Sequence, residues 1–169
     1  MRSAYGAKEN GIGQHPATIV VDVANVMGSR PDGWWRDRAG AAVRLHAQIA
    51  ALAASGRSVL PDETDPPEFV LVLEGAARPA AARINAAEDR TGAAEDRTGA
   101  AGDRPGAAGD RVRVVLAEGS GDDAIVALAR ELPGRRFVVT ADRELRRRSE
   151  GAGAAVLGPS WLISLLREH

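Results

Sequence analysis

Thr18-Ile19-Val20-Val21-Asp22 is a β-branched apolar run ending on a carboxylate, and the same phrase recurs three times along the chain. Phe69-Val70-Leu71-Val72-Leu73 runs into Glu74. Val112-Arg113-Val114-Val115-Leu116 precedes the pair Asp122-Asp123, and Phe137-Val138-Val139-Thr140-Ala141 runs into Asp142. Near-continuous apolar strands of this length suit a parallel sheet covered on both faces, because a half-exposed sheet alternates apolar and polar residues. Open parallel sheets offer their ligand sites beyond the carboxyl ends of the strands. Acidic side chains at several such ends therefore converge, and converging carboxylates suit a hard divalent cation.

Helix-like stretches separate these runs. The first extends from about Asp37 to Ser55, with Ala42, Leu45, Ile49 and Leu52 on one stripe and Gly56 as its stop; a loop rich in Gly28, Pro31 and Gly33 precedes it. A second starts near Pro79, and the repeat that follows either extends or frays it. A third opens at Asp122, turns Ile125, Leu128, Ala129 and Leu132 inward, and stops near Pro133-Gly134. After Asp142 come a short arginine-rich helix, a weak strand at Ala154 to Leu157, and a closing helix from Pro159 to Arg167 with proline in its first turn. This alternation predicts an α/β protein, a three-layer αβα sandwich around a mainly parallel sheet with right-handed crossovers.

One segment breaks the pattern. From Ala86 the chain reads AAEDRTG, AAEDRTG, AAGDRPG and AAGDRVR, a seven-residue repeat whose only apolar residues before its final valine are alanines. Without leucine-like residues there is no coiled-coil seam to bury, and Pro105 interrupts the third copy. Residues 86 to 110 are therefore expected to form a low-complexity, disordered insertion in a domain spanning 17 to 169. Residues 1 to 16, with Gly6, Gly11, Gly13 and Pro16, read as a flexible tail.

The composition excludes several classes. The chain has 169 residues, 44% of them hydrophobic, enough for one domain with a real core. Its formal net charge is −1, from 22 basic and 23 acidic residues, so any nucleic-acid contact must come from local charge. There is no cysteine, which removes disulfides, thiolate metal sites and cysteine nucleophiles. No apolar stretch approaches the roughly 20 residues needed to span a bilayer. A cytoplasmic protein that does not enter membranes is the plain expectation.

Asp22 is followed by Val23-Ala24-Asn25, which sets an amide one turn beyond the carboxylate. Gly119-Ser120-Gly121 loosens the approach to Asp122 and Asp123 at a helix start, and Thr140 adds a hydroxyl two residues before Asp142. Each aspartate also stands where a helix N-cap is expected, so capping and metal binding are both open for each. Glu74 reads either as a fourth ligand or as a partner of Arg78. Taken together, Asp22-Val23-Ala24-Asn25-Val26, the late Asp122-Asp123 pair and Thr140-Ala141-Asp142-Arg143 resemble the acidic motifs of the PIN-like nuclease superfamily, specifically its NYN domain branch. The resemblance spans about residues 17 to 165 apart from the repeat; many relatives have Asp-Gly where this chain has Glu74-Gly75. It implies a PIN-like sandwich that holds Mg²⁺ or Mn²⁺ on Asp22, Asp122 and Asp142 with Asp123 assisting, while Asn25 and Thr140 line the site. It further implies a metal-activated water that attacks a phosphodiester, usually of RNA, and leaves a 5′-phosphate.

Arg30, Arg36 and Arg38 after the first strand, and Arg143 with Arg146, Arg147 and Arg148 after Asp142, supply guanidinium forks for a phosphate backbone. Trp34-Trp35 can stack unpaired bases, although one of the two is expected to anchor the first long helix. Arg30, Arg38, Arg143 and Trp34 are the candidate substrate contacts. His15, His46 and His169 are given no catalytic role. The competing reading is a catalytically degenerate PIN-like module that binds RNA or acts as an adaptor. A phosphotransfer receiver wants an early acidic pair and a late lysine, whereas Lys8 is the single lysine; a haloacid-dehalogenase-like phosphatase wants an aspartate where Ala24 stands. Homodimerisation is left open.

Overall fold

The computed structural model describes residues 15–95 and 111–168. Strands β1 (Thr18–Asp22), β2 (Glu68–Leu73), β3 (Val112–Leu116), β4 (Arg136–Val139) and β5 (Ala155–Leu157) form one sheet in the order β3-β2-β1-β4-β5. Every pairing is parallel, with Val20 opposite Val70 on one side and Val138 on the other. The most apolar run of the sequence is thus the middle strand. Chain order reverses across β1: β2 and β3 extend to one side, and the connection after β3 returns to the far side to form β4. That reversal leaves a crevice beyond the carboxyl ends of β1 and β4, the place where open α/β sheets bind ligands.

Helices cover both faces. On one side lie α1 (Val23–Gly28), α2 (Arg38–Ala54), α3 (Ala80–Glu95) and α6 (Pro159–Arg167), packed on Ile19, Val21, Phe69, Leu71 and Val139. On the other lie α4 (Gly121–Glu131) and α5 (Arg143–Gly151), whose Ile125, Val126, Ala129 and Leu145 meet Val20, Val70, Val72 and Val138. The predicted αβα sandwich is the observed one. Asp37 caps α2, its Oδ1 accepting from Gly40 N–H at 2.8 Å, and the stripe Ala42, Leu45, Ile49 and Leu52 is buried as expected.

Two segments differ from the sequence reading. The stretch after β1 is not all loop: α1 starts at once from Asp22, and a turn of 3-10 helix follows at Trp34–Arg36. Residues 86 to 95, expected to be disordered, continue α3 through the first copy of the repeat. Alanine, glutamate and arginine are strong helix formers, and Gly92 alone costs only about 1 kcal/mol, so the helix runs through the first copy of the repeat. The rest of the insertion and the tail up to residue 14 lie outside the described residues.

Candidate active site

Strand parity decides which side chains meet. Along β1, Ile19 and Val21 face the α2 layer while Val20 faces α4 and α5, so Asp22 faces α4 and α5 as well. The same count carries Val70 and Val72 to Glu74 just beyond β2, and Val138 to Thr140 beyond β4. Three strand ends therefore aim polar groups at one side of one edge. The helices on that side bring their first turns to the same edge: α4 carries Asp122 and Asp123, and α5 is capped by Asp142.

Hydrogen bonds tie β1 to β4 across the crevice. Asp22 is only 8% exposed; its Oδ2 accepts from Thr140 Oγ1 at 2.9 Å and its Oδ1 from Asn25 N–H at 3.2 Å. Asn25 Oδ1 in turn accepts from Ala141 N–H at 2.8 Å, and Thr140 Oγ1 accepts from Asp142 N–H at 3.2 Å. Asp142 Oδ1 takes Leu145 N–H at 2.8 Å, which starts α5. Capping and clustering, alternatives in the sequence, are here one arrangement, because Asp22 and Asp142 cap α1 and α5 while standing at the shared edge.

Electrostatics bind the carboxylates into one group. Burial pushes the Asp22 carboxyl above its ordinary value; the Asn25 and Thr140 hydrogen bonds oppose the shift, and the charges of Asp122 and Glu74 reinforce it. Asp122 is raised too, first by desolvation and then by Asp142 and Glu74, with Arg148 pulling the other way. Like charges held together at a half-buried edge favour a cation, and an all-oxygen donor set fits Mg²⁺ or Mn²⁺ in kind. Among the described residues, however, no three acidic or histidine side chains stand close enough as placed to hold an ion.

The other candidates separate from this trio. Glu74 does not pair with Arg78: its Oε2 accepts from Gly121 N–H at 2.7 Å and caps α4, whose own N-cap Ser120 makes no side-chain cap. A Cβ at Gly121 would lie 2.6 Å from Glu74 Oε2, so glycine is what lets the carboxylate approach. Arg78 instead donates to the Ala117 carbonyl. Asp123 is exposed and takes Arg148 Nη2 at 2.5 Å, joining α4 to α5. Arg143 is exposed at the start of α5. Trp34 is half-buried against the core, with the Arg38 guanidinium 5.3 Å over its ring, whereas Trp35 stands edge-on to it and is 57% exposed. The tryptophan free to meet a base is thus Trp35, and Trp34 is the anchor. Arg30 points away to Gln48 of α2, donating to Oε1 at 2.8 Å. His46 is buried between α2 and α3, its Nε2 3.5 Å from Glu88. Sequence reasoning missed the Glu74–Gly121 cap, because Ser120 stands where a cap is expected and only the structure shows that it makes none.

No family model matches the sequence, and no curated protein matches it. Among solved structures, the crystal structure of Rae1 (YacP) from Bacillus subtilis is similar, with a TM-score of 0.57 over 89% of this chain and 74% of that one. At 16% identity the likeness is one of fold.

Proposed function

We propose that the chain is a metal-dependent ribonuclease of the NYN branch of the PIN-like nucleases, hydrolysing RNA phosphodiester bonds at the edge formed by Asp22, Asp122 and Asp142. The observation that carries this reading is the gathering of acidic groups from the ends of β1 and β2 and the starts of α4 and α5 at the switch point of a parallel sheet, where burial first, and neighbouring carboxylates after it, raise Asp22 and Asp122. The likeness in fold to Rae1 is consistent with it. Asp22, Asp122 and Asp142 would hold the ion; Glu74 and Asp123, engaged by Gly121 and Arg148, support α4 rather than serve as primary ligands. A divalent ion at such a site supplies a nucleophile at neutral pH and offsets charge on the phosphate.

The protein's own contribution is placement. Thr140 orients the Asp22 carboxylate, and Asn25 locks β1 to the Ala141 amide so that the two strand ends keep a fixed separation. Arg143 at the same edge offers a guanidinium to the backbone, and Trp35 offers a stacking face worth about 1–3 kcal/mol per base. The test is cleavage of a labelled mixed RNA pool with Mn²⁺ or Mg²⁺, beside EDTA and Asp22→Asn controls. Metal-dependent cleavage that disappears in the variant upholds the reading.

A second reading, a catalytically degenerate RNA-binding or adaptor module, draws on the commitment of Glu74 and Asp123 to protein partners and on the absence of a ready three-ligand cluster among the described residues. It expects wild type and Asp22→Asn to be equally inactive while binding RNA or a protein partner alike.

A further inference from the structure

On the α2 and α6 side of the molecule, Arg30, Pro31 and Asp32, the three residues after the α1 region, form a pocket with Gln48 of α2 and Ile163, Leu166 and Arg167 of α6. Its volume is about 320 Å³, and none of the site carboxylates lines it. Two guanidinium groups from distant parts of the chain face the same space, close enough for the Arg167 charge to disfavour the charged form of Arg30, which burial disfavours more strongly still. Arg30 is held in the wall by Gln48, and its buried Nε finds no acceptor in the protein. Asp32 offsets part of the positive charge, although one of its oxygens is taken by Trp34 N–H at 3.2 Å. Ile163, Leu166 and Pro31 add apolar side chains to the same lining.

Asp32 outweighs Arg167 in its effect on Arg30, yet the buried Arg30 Nε keeps no acceptor, and an arginine fork matches phosphate oxygens in pairs. The apolar wall adds a surface for a flat, weakly polar group, and Asp32 adds an acceptor for a hydroxyl. From these elements we infer that the pocket binds a nucleoside monophosphate unit, with phosphate on Arg30 and Arg167, base against Ile163 and Leu166, and a sugar hydroxyl on Asp32. The unit is either a free mononucleotide or the 5′-phosphorylated end of an RNA strand. This site is separate from the carboxylate edge and does not depend on its activity.

Calorimetric titration of the full chain in EDTA tests the assignment, with AMP, GMP, CMP and UMP as probes beside adenosine and inorganic phosphate. Nucleoside monophosphates are expected to bind at least about tenfold more tightly than adenosine, and Arg167→Gln, an exposed change at the end of α6, to weaken them by about tenfold or more. Asp22→Asn should bind as wild type does, so a failed nuclease reading leaves this result intact. Single-stranded RNA with a 5′-phosphate or a 5′-hydroxyl separates the sources: discrimination between the two identifies a strand end, and its absence alongside mononucleotide binding identifies a free nucleotide. Equal affinity for AMP and adenosine, unchanged binding in Arg167→Gln with native circular dichroism, or no binding of any nucleotide overturns the proposal.

Discussion

Asp22 carries three duties with one carboxylate: it ends β1, caps α1 through Asn25 N–H, and accepts the Thr140 hydroxyl across the crevice. Removing the last duty alone is informative. Thr140→Val keeps the shape and loses the hydroxyl that orients Asp22 and that also accepts Asp142 N–H, so cleavage should fall by about 10–100-fold, with some loss of stability, while the fold persists, as measured by initial rates and circular dichroism. Gly121 is the second pivot. Gly121→Ala drives a methyl against Glu74, breaks the 2.7 Å bond to the α4 N-terminus, and should destabilise the protein by about 1–3 kcal/mol in urea unfolding. Glu74→Gln retains an acceptor oxygen and is expected to lose much less; a loss as large as that of Gly121→Ala would show that the charge of Glu74, rather than its cap, is what matters. At this scale the sequence named the residues but not their roles. Trp34 and Trp35 are chemically identical, and only the packing of Trp34 beneath Arg38 and beside Gly28 shows which of them faces solvent.

The helices of the site are defined by the same aspartates that form it. Because Asp142 caps α5, an alanine there removes both charge and cap, whereas asparagine removes the charge and keeps the cap. Asp142→Asn should therefore retain wild-type stability and lose cleavage, while Asp142→Ala loses cleavage and about 1 kcal/mol as well. Equal unfolding midpoints for the two variants would contradict the cap. Element types were legible because periodicity and stop signals are local: α2 runs from its Asp37 cap almost to Gly56, as the stripe Leu45, Ile49 and Leu52 demands. The short α1 was not legible. Six residues carry too little periodicity to announce a helix, and Val23, Val26 and Met27 are buried by α2 and α6 rather than by a pattern of their own. The start of the repeat was open between an extension of α3 and disorder, since low complexity signals the lack of a core-facing stripe but does not forbid a helix built on alanine and glutamate, and α3 extends through it.

For the whole molecule, the raised acids Asp22 and Asp122 make stability depend on pH, and the proposed function adds a dependence on cations. The folded pKa of Asp22 and of Asp122 lies above the ordinary value of 3.8, so each acid favours folding most when protonated. That contribution is complete below about pH 3.8 and is lost as pH rises through the raised folded value. In EDTA at neutral pH, Asp22→Asn and Asp122→Asn should thus be more stable than wild type, with the difference closing as the pH falls towards 4, followed by urea unfolding at each pH. Adding Mg²⁺ or Mn²⁺ should reverse the order by stabilising wild type alone, by about 2.7 kcal/mol at a hundredfold excess over the dissociation constant. A thermal midpoint of wild type that ignores both ions would argue for the adaptor reading.

What the sequence determined by itself was the class of the fold and the acidic residues that end its strands or open its helices. Four apolar runs followed by acids suit a parallel sheet, whose middle strands β1, β2 and β4 are buried and whose edge strand β3 is half-exposed, and the helices between them follow from local periodicity. Which acids meet was decided by tertiary structure alone. The strand order β3-β2-β1-β4-β5 sets β1 beside β4, two elements whose aspartates are 120 positions apart in number, and strand parity then turns Asp22, Glu74 and Thr140 to the α4 and α5 side. The same packing gave Glu74 to Gly121, Asp123 to Arg148 and Arg30 to the pocket beneath α6. Residue spacing along a chain specifies neighbours within a helix or strand, whereas contacts between elements depend on the order and orientation in which the sheet assembles.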